Sequence, residues 1–210
     1  LGIPLRAHAV SADAGMLART NDNWVEVSGM NAPERPLARI PTVGSLGQVI
    51  LNGTGTRLAT VEGTTQTVAR VWSATSGEAI SPAIDLSKPS ARCSFDATGD
   101  FLAVVDNNSL VLVAVRTGAR PFATIVKDEK IREVSFSPDG RRLAVVAGRE
   151  VDVRDLATGR PLFAPLVHAI RVSRAVFSPN SEQLVTCTSE ASIHSCYAQV
   201  WELETGQPVG

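Results

Sequence analysis

The sequence predicts an all-β protein built from five copies of a four-stranded antiparallel sheet. Three observations carry that prediction. First, "VSFSPDGRRLAVVAG" (134–148) has counterparts at 8–22, 49–63, 93–107 and 175–189, with a turn glycine at Gly15, Gly55, Gly99 and Gly140 and Ser181 in the fifth copy, at steps of 40, 44, 41 and 41 residues. Second, a later landmark follows each copy: "NAPERP" (31–36), "TSGEAI" (75–80), "RTGARP" (116–121), "ATGRPL" (157–162) and "ETGQPV" (204–209). Third, apolar residues between the landmarks alternate with a period of two, the pattern of half-buried strands.

Each element follows in order, with the fourth copy as the type. Val134 and Phe136 alternate in a first strand, and Leu143 to Val146 form a second. Between them Pro138-Asp139-Gly140 suits a tight turn, because proline presets φ and glycine accepts positive φ. In the third strand Val151 and Val153 point inward and alternate with Asp152 and Arg154. The same inward pair recurs as Val25/Val27, Ala69/Val71, Leu110/Leu112 and Ala198/Val200. Thr-Gly turns the next corner, and a short fourth run follows, such as "PFATIV" (121–126) or "PLFAPLV" (161–167). Four short strands cannot bury both faces alone, so the copies must stack side by side. The repeats run approximately over 1–40, 41–84, 85–125, 126–166 and 167–210.

Composition narrows the function classes. The chain has 210 residues, 44% hydrophobic and 20% charged, the profile of a globular protein long enough to bury a core. A formal net charge of −1 argues against bulk electrostatic capture of nucleic acid or an anionic membrane. No stretch approaches the ~18 apolar residues of a spanning helix, and no signal peptide is visible. Three cysteines, Cys93, Cys187 and Cys196, are too few and odd in number for a disulfide framework, which points to a reducing, cytoplasmic compartment. The chain starts at Leu1 rather than Met, which suggests a piece of something longer.

The segments "FSPDGRRLAVV", "VWSATSG", "VRDLATG" and "VWELETG" resemble those of the WD-repeat β-propellers, and the resemblance covers essentially the whole chain as five degenerate copies. "DLATGRPL" and "VWELETGQPVG" are similar to bacterial members of that family. The resemblance implies a propeller of radially packed blades, part of a larger ring of about seven, with a closed ring of five as the alternative. Such a fragment exposes open sheet edges and the flat face of a terminal blade, and both invite self-association. The departures are specific. The family's third-strand Trp-Asp is Ser28-Gly29, Trp72-Ser73, Val113-Ala114, Arg154-Asp155 and Trp201-Glu202 here. Of the family's His–Ser/Thr–Asp–Trp hydrogen-bond network, only the fifth copy keeps the histidine, as His168, with Thr186 or Thr188 and Trp201 for company.

Enzyme signals are scarce: there is no Gly-x-Ser-x-Gly, no phosphate-cradling glycine loop and no His-Glu-x-x-His. The sharpest constellation is "TSEASIHSCYA" (188–198), expected as the longest loop between second and third strands. It carries His194, Cys196 and Tyr197; Cys187 precedes it, and His168 enters the same blade. Cys187, Cys196, His168 and His194 could in principle hold zinc, but their spacing is no recognised ligand pattern. A Cys187–Cys196 cross-hairpin disulfide and two inert buried thiols are the other readings of those cysteines. Loops reaching the same face carry Lys130 in "KDEK", which reads as solvated, and Arg149 in "GRE"; their mixed charge suits a protein or peptide partner better than phosphate. Trp24 sits at a loop mouth, either as a partner contact or as a cap on the blade core.

These features imply a non-catalytic scaffold or sensor module that binds a protein or peptide through Trp24, Lys130, Arg149, His168, His194 and Tyr197, without a cofactor, nucleic acid or membrane. An enzymatic or ligand-binding propeller with a central-channel site and a purely structural assembly module are the alternatives.

Overall fold

The computed structural model describes residues 6–13, 15–20, 23–43, 45–63, 67–86, 92–190 and 195–209. Among them there are nineteen strands and no helix. In chain order they are β1 (Arg6–Val10), β2 (Met16–Thr20), β3 (Trp24–Gly29), β4 (Pro36–Pro41), β5 (Leu46–Leu51), β6 (Arg57–Gly63), β7 (Thr67–Ser73), β8 (Ile84–Leu86), β9 (Arg92–Phe95) and β10 (Phe101–Asp106). They continue as β11 (Ser109–Ala114), β12 (Ile125–Val126), β13 (Ile131–Phe136), β14 (Arg142–Ala147), β15 (Glu150–Asp155), β16 (Leu166–Val167), β17 (Val172–Phe177), β18 (Gln183–Glu190) and β19 (Ser195–Glu202). All pair antiparallel in four-stranded sheets except the last, which has three strands among the described residues.

The chain divides into two compact units, residues 1–106 with 113–120 and residues 107–112 with 121–210. In the first, the sheets β1-β2-β3-β4 and β5-β6-β7-β8 are followed by the β9–β10 hairpin. First strands touch first strands, β1 beside β5 and β5 beside β9. Val25, Val27, Ala38 and Ile40 of one sheet pack with Val49, Leu58 and Trp72 of the next in one buried cluster. The second unit repeats the plan with β13-β14-β15-β16 and β17-β18-β19: β13 lies beside β17, and Val151, Val153 and Leu166 pack with Val172, Ala175, Phe177 and Leu184. The inward pairs at 25/27, 69/71, 110/112 and 151/153 are completely buried. The fifth pair differs: Ala198 is exposed and Val200 half-buried, because no described sheet covers that face.

The turn between first and second strands is organised by an acceptor side chain. Ser137 donates to Asp139 at 2.5 Å, and its hydroxyl oxygen accepts the Arg142 N–H at 2.9 Å. Ser11 and Ser178 do the same with Met16 and Gln183, Asn52 with Arg57, and Asp96 with Phe101. These acceptors recur at steps of 41, 44, 41 and 41 residues. Gly15 was expected as the turn glycine of the first copy, but it occupies the place of Arg141: Gly15 donates its N–H to Asp13 as Arg141 does to Asp139. The positive-φ positions are Gly55, Gly99, Gly140 and Ser181. Ser181 tolerates that conformation while its hydroxyl accepts the Asp139 N–H of the preceding sheet at 3.1 Å.

Polar staples repeat between neighbouring sheets. Gln48 Oε1 accepts the Cys93 N–H at 2.8 Å while its Nε2 donates to the Cys93 carbonyl. Glu133, at the same position of its repeat, accepts the Ala175 N–H at 2.8 Å. Arg57 reaches the Gly99 carbonyl and pairs with Asp100 at 2.8 Å, and Arg142 likewise reaches the Ser181 carbonyl. Each side chain satisfies a backbone group that strand pairing leaves free.

The Thr-Gly turn is a second contact point. Gly77, Gly118, Gly159 and Gly206 all have φ between +70° and +75°. At the last three, an added Cβ would press on the preceding repeat, on Pro82, Phe122 and Phe163 respectively; at Gly77 it would make an ordinary contact with Ala38 of the preceding repeat. Gly140, at φ +68°, has nothing within 4 Å of such a Cβ.

Gly159→Ala therefore suffers both φ strain and collision with the Phe122 ring and is expected to lower stability by about 2–4 kcal/mol, whereas Gly140→Ala pays only the left-handed strain of about 1–2 kcal/mol. Urea denaturation of the two variants tests the difference; equal losses refute the packing role of Gly159. Asp155 accepts the Thr158 hydroxyl at 2.7 Å and the Thr158 N–H at 2.8 Å, and these bonds hold its carboxyl below the ordinary range. A lowered folded-state value stabilises the fold above the unfolded value and loses that contribution as pH falls through the folded one. The urea midpoint of Asp155→Asn should therefore decline less than that of the parent between about pH 5 and pH 2.

Candidate functional site

In the second unit, topology brings four segments to one end of the sheets: residues 127–130 before β13, the Gly148-Arg149 turn between β14 and β15, residues 168–171 between β16 and β17, and the Glu190–Ser195 end of the β18–β19 ladder. His168 organises this end. Its Nδ1 lies 3.3 Å from the Arg149 carbonyl and its Nε2 2.7 Å from Thr186 Oγ1. A carbonyl only accepts, so Nδ1 donates to it, and Nε2 meets the threonine hydroxyl. Thr186 Oγ1 in turn accepts the Trp201 indole N–H at 2.8 Å. The His168 and Trp201 rings meet edge to face, 5.3 Å apart. Of the two threonines that the sequence offered, Thr186 closes this network; Thr188 donates to the Tyr197 carbonyl instead, at 3.4 Å. The second repeat keeps half of the arrangement, with Trp72 donating to Thr60 at 3.0 Å.

The remaining charges at this end are largely committed. Glu129 pairs with Arg171 at 3.1 Å, and its carboxylate lies over Gly148, where a Cβ would collide with it. Lys130 and Arg149 are exposed, and Tyr197 is 61% exposed. "KDEK" is not uniformly solvated, as its sequence suggested: the Lys127 side chain is mostly buried and pairs with Asp152 at 3.3 Å.

Asp152 is the larger correction. Strand alternation places it opposite the inward valines, on a side expected to be polar, yet it is 2% exposed. Arg154 contacts Oδ2 at 2.7 and 2.8 Å, and Lys127 shares the same oxygen. Glu26, at the same offset in the first repeat, is buried between Arg19 at 3.0 Å and Arg39 at 3.2 Å. Burying a carboxylate is tolerable only when cations meet it. The legible signal was an acid between two inward valines, "VEV" and "VDV", with a basic residue on a neighbouring strand or two positions on.

The hairpin 188–198 is mostly ladder. Thr188 pairs with Tyr197, Ser189 with Cys196 and Glu190 with Ser195, which leaves 191–194 as the connection. His194 lies outside the described residues, and so do the surroundings of the Cys196 side chain. Cys187 pairs with Ala198, offset from Cys196 by two positions, so the two cysteines are not directly opposed. Cys187 also points away from the sheet face that holds Thr186 and His168, because successive strand residues alternate. With both His168 ring nitrogens bonded, the proposed zinc ligands Cys187 and His168 do not converge. Among the described residues, no three His, Cys, Asp or Glu side chains form a cluster that could hold a metal. Cys93 is buried, and desolvation pushes its thiol up to about 12.

Trp24 belongs to the first unit. It opens β3 opposite Pro41, half-buried, with the Arg39 guanidinium 5.7 Å from its ring centre. Arg39 thus covers Trp24 while neutralising Glu26, a structural duty for both.

Removing the Thr186 hydroxyl takes a partner from two half-buried groups, His168 Nε2 and the Trp201 indole N–H. Thr186→Val should cost about 1–3 kcal/mol, and Thr188→Val less, since it loses one long bond. Urea midpoints read the difference, and Trp201 fluorescence should change only in the first variant.

No helix among the described residues is long and apolar enough to cross a membrane. No curated protein matches the chain. Residues 42–174 match the model of the lipoprotein LpqB β-propeller domain family. With its four-stranded antiparallel sheets and that match over more than half of its length, this chain belongs to the LpqB lipoprotein β-propeller domain family.

Proposed function

We propose that the chain is a non-catalytic binding module that engages a protein or peptide partner through the loop-bearing end of its second unit. The observation that carries this reading is the His168–Thr186–Trp201 network, which pins the 168–171 segment and its Arg149 neighbour to the sheet beneath. Exposed Lys130, Arg149 and Tyr197 then stand on a rigid base, so little ordering entropy opposes binding. An exposed tyrosine beside exposed cationic side chains suits the acidic or aromatic surface of a polypeptide.

The same network supports the finer likeness to WD-repeat blades, with the fifth repeat retaining the histidine, the hydroxyl and the tryptophan. The family's description as a lipoprotein domain supports a place in the cell envelope, in preference to the cytoplasm suggested by the cysteine count. A buried, protonated Cys93 would survive in an oxidising compartment.

A photo-crosslinking residue placed at Arg149 or Tyr197 in cells tests the reading, with the same residue at Asp139, in a turn at the other end of the sheets, as the control. A discrete crosslinked polypeptide from the first two positions alone supports it. Identical crosslinks from all three positions, or none, would sink it.

A further inference from the structure

Asn52-Gly53 is the only Asn-Gly pair in the chain. Such a pair is chemically labile, because glycine leaves its amide nitrogen unhindered beside the asparagine side chain. Here the glycine is not demanded by the fold. Gly53 has no positive φ, and a Cβ on it would meet only the Ala97 carbonyl at 3.9 Å and Ala12 Cβ at 4.0 Å, ordinary contacts. The corresponding positions of the other repeats hold Ala12, Ala97, Pro138 and Pro179. The neighbouring Gly55 is different, with φ +66° and its Cβ site against Met16.

We propose that Asn52 is a deamidation site gated by the fold. In the reaction the Gly53 nitrogen loses its proton and attacks Asn52 Cγ. The new N–C bond closes a five-membered succinimide, and the Cγ–N bond breaks to release ammonia. Water then opens the ring at either carbonyl to give aspartate or isoaspartate. The net change is amide plus water to carboxylate plus ammonium, with no oxidant or reductant.

The native structure withholds the side chain from this attack. Asn52 is 1% exposed. Its Oδ1 accepts the Arg57 N–H at 2.9 Å, and its Nδ2 faces Thr54 Oγ1 at 3.1 Å, Thr56 Oγ1 at 3.2 Å and the Thr98 carbonyl at 3.4 Å. The backbone is held as well: the Asn52 carbonyl accepts from Gly55 and the Gly53 carbonyl from Asp13. Cγ reaches the Gly53 nitrogen only after these bonds open together. The product would not restore them all. The equivalent Asp96 shows that a carboxylate can serve the local turn, since it accepts the Phe101 N–H at 2.8 Å. The Thr98 carbonyl, however, belongs to the next repeat and accepts from the amide at 3.4 Å, a bond that a carboxylate cannot make. Deamidation would keep the turn and break its tie to the neighbouring hairpin, an irreversible record that this part of the first unit had opened.

The test incubates the whole chain in mildly alkaline buffer, folded or in urea, and follows residue 52 by peptide mass mapping. Conversion should be at least about tenfold slower in the folded protein, the factor given by an opening free energy of about 1.4 kcal/mol. Gly53→Ala, which the backbone accommodates, should fold normally and keep the amide in urea. Thr54→Val with Thr56→Val should speed conversion in the folded state. Equal rates with and without urea, or an amide that persists in urea in the parent chain, would overturn the proposal.

Discussion

A forty-residue sheet has two faces and can cover neither by itself; every other feature of this chain follows from that. Four short strands hydrogen-bond one another well but leave an apolar layer on each side. The layer is removed from water only by the next repeat, which is why Val25 and Val27 share a cluster with Leu58 and Trp72, and Val151 and Val153 with Val172 and Phe177. Close approach of the sheets then explains details that look arbitrary within one repeat. The Thr-Gly glycine is needed for its positive φ and, at 118, 159 and 206, also because Pro82, Phe122 or Phe163 lies where its Cβ would be. Gln48 and Glu133 reach across because approach leaves amides of the next first strand in need of an acceptor.

Charge is handled by the same constraint. Glu26 and Asp152 sit at equivalent points of their third strands and are both buried, and each is met by two cations from its own unit. Such clusters add little net stability over a well-packed apolar centre, because desolvation offsets the attraction. They do make loss of any one partner costly. Arg39, which serves Glu26 and covers Trp24, and Lys127, which serves Asp152, are therefore poor candidates for a contact surface although both occur in loop-adjacent segments. The exposed residues that remain, Lys130, Arg149 and Tyr197, are those that the folded core does not consume.

Much was legible in the chain itself. Repeat spacing, period-two alternation and the two turn landmarks determined an all-β architecture of four-stranded units, since local turn chemistry and strand pairing depend on residues within one repeat. The pairing of His168 with Trp201 was legible too, because it needs only one blade. Tertiary structure decided which of the side chains on offer meet. It chose Thr186 over Thr188, paired 188–190 with 195–197 where a loop was expected, and buried Asp152 against Lys127, whose charge run reads as solvated. It also moved the first turn's landmark from Gly15 to Ser11. The physical reason is that alternation says which side of a sheet a residue faces, not which side chains of the same repeat meet it there: His168 reaches Thr186, and Lys127 and Arg154 cover Asp152.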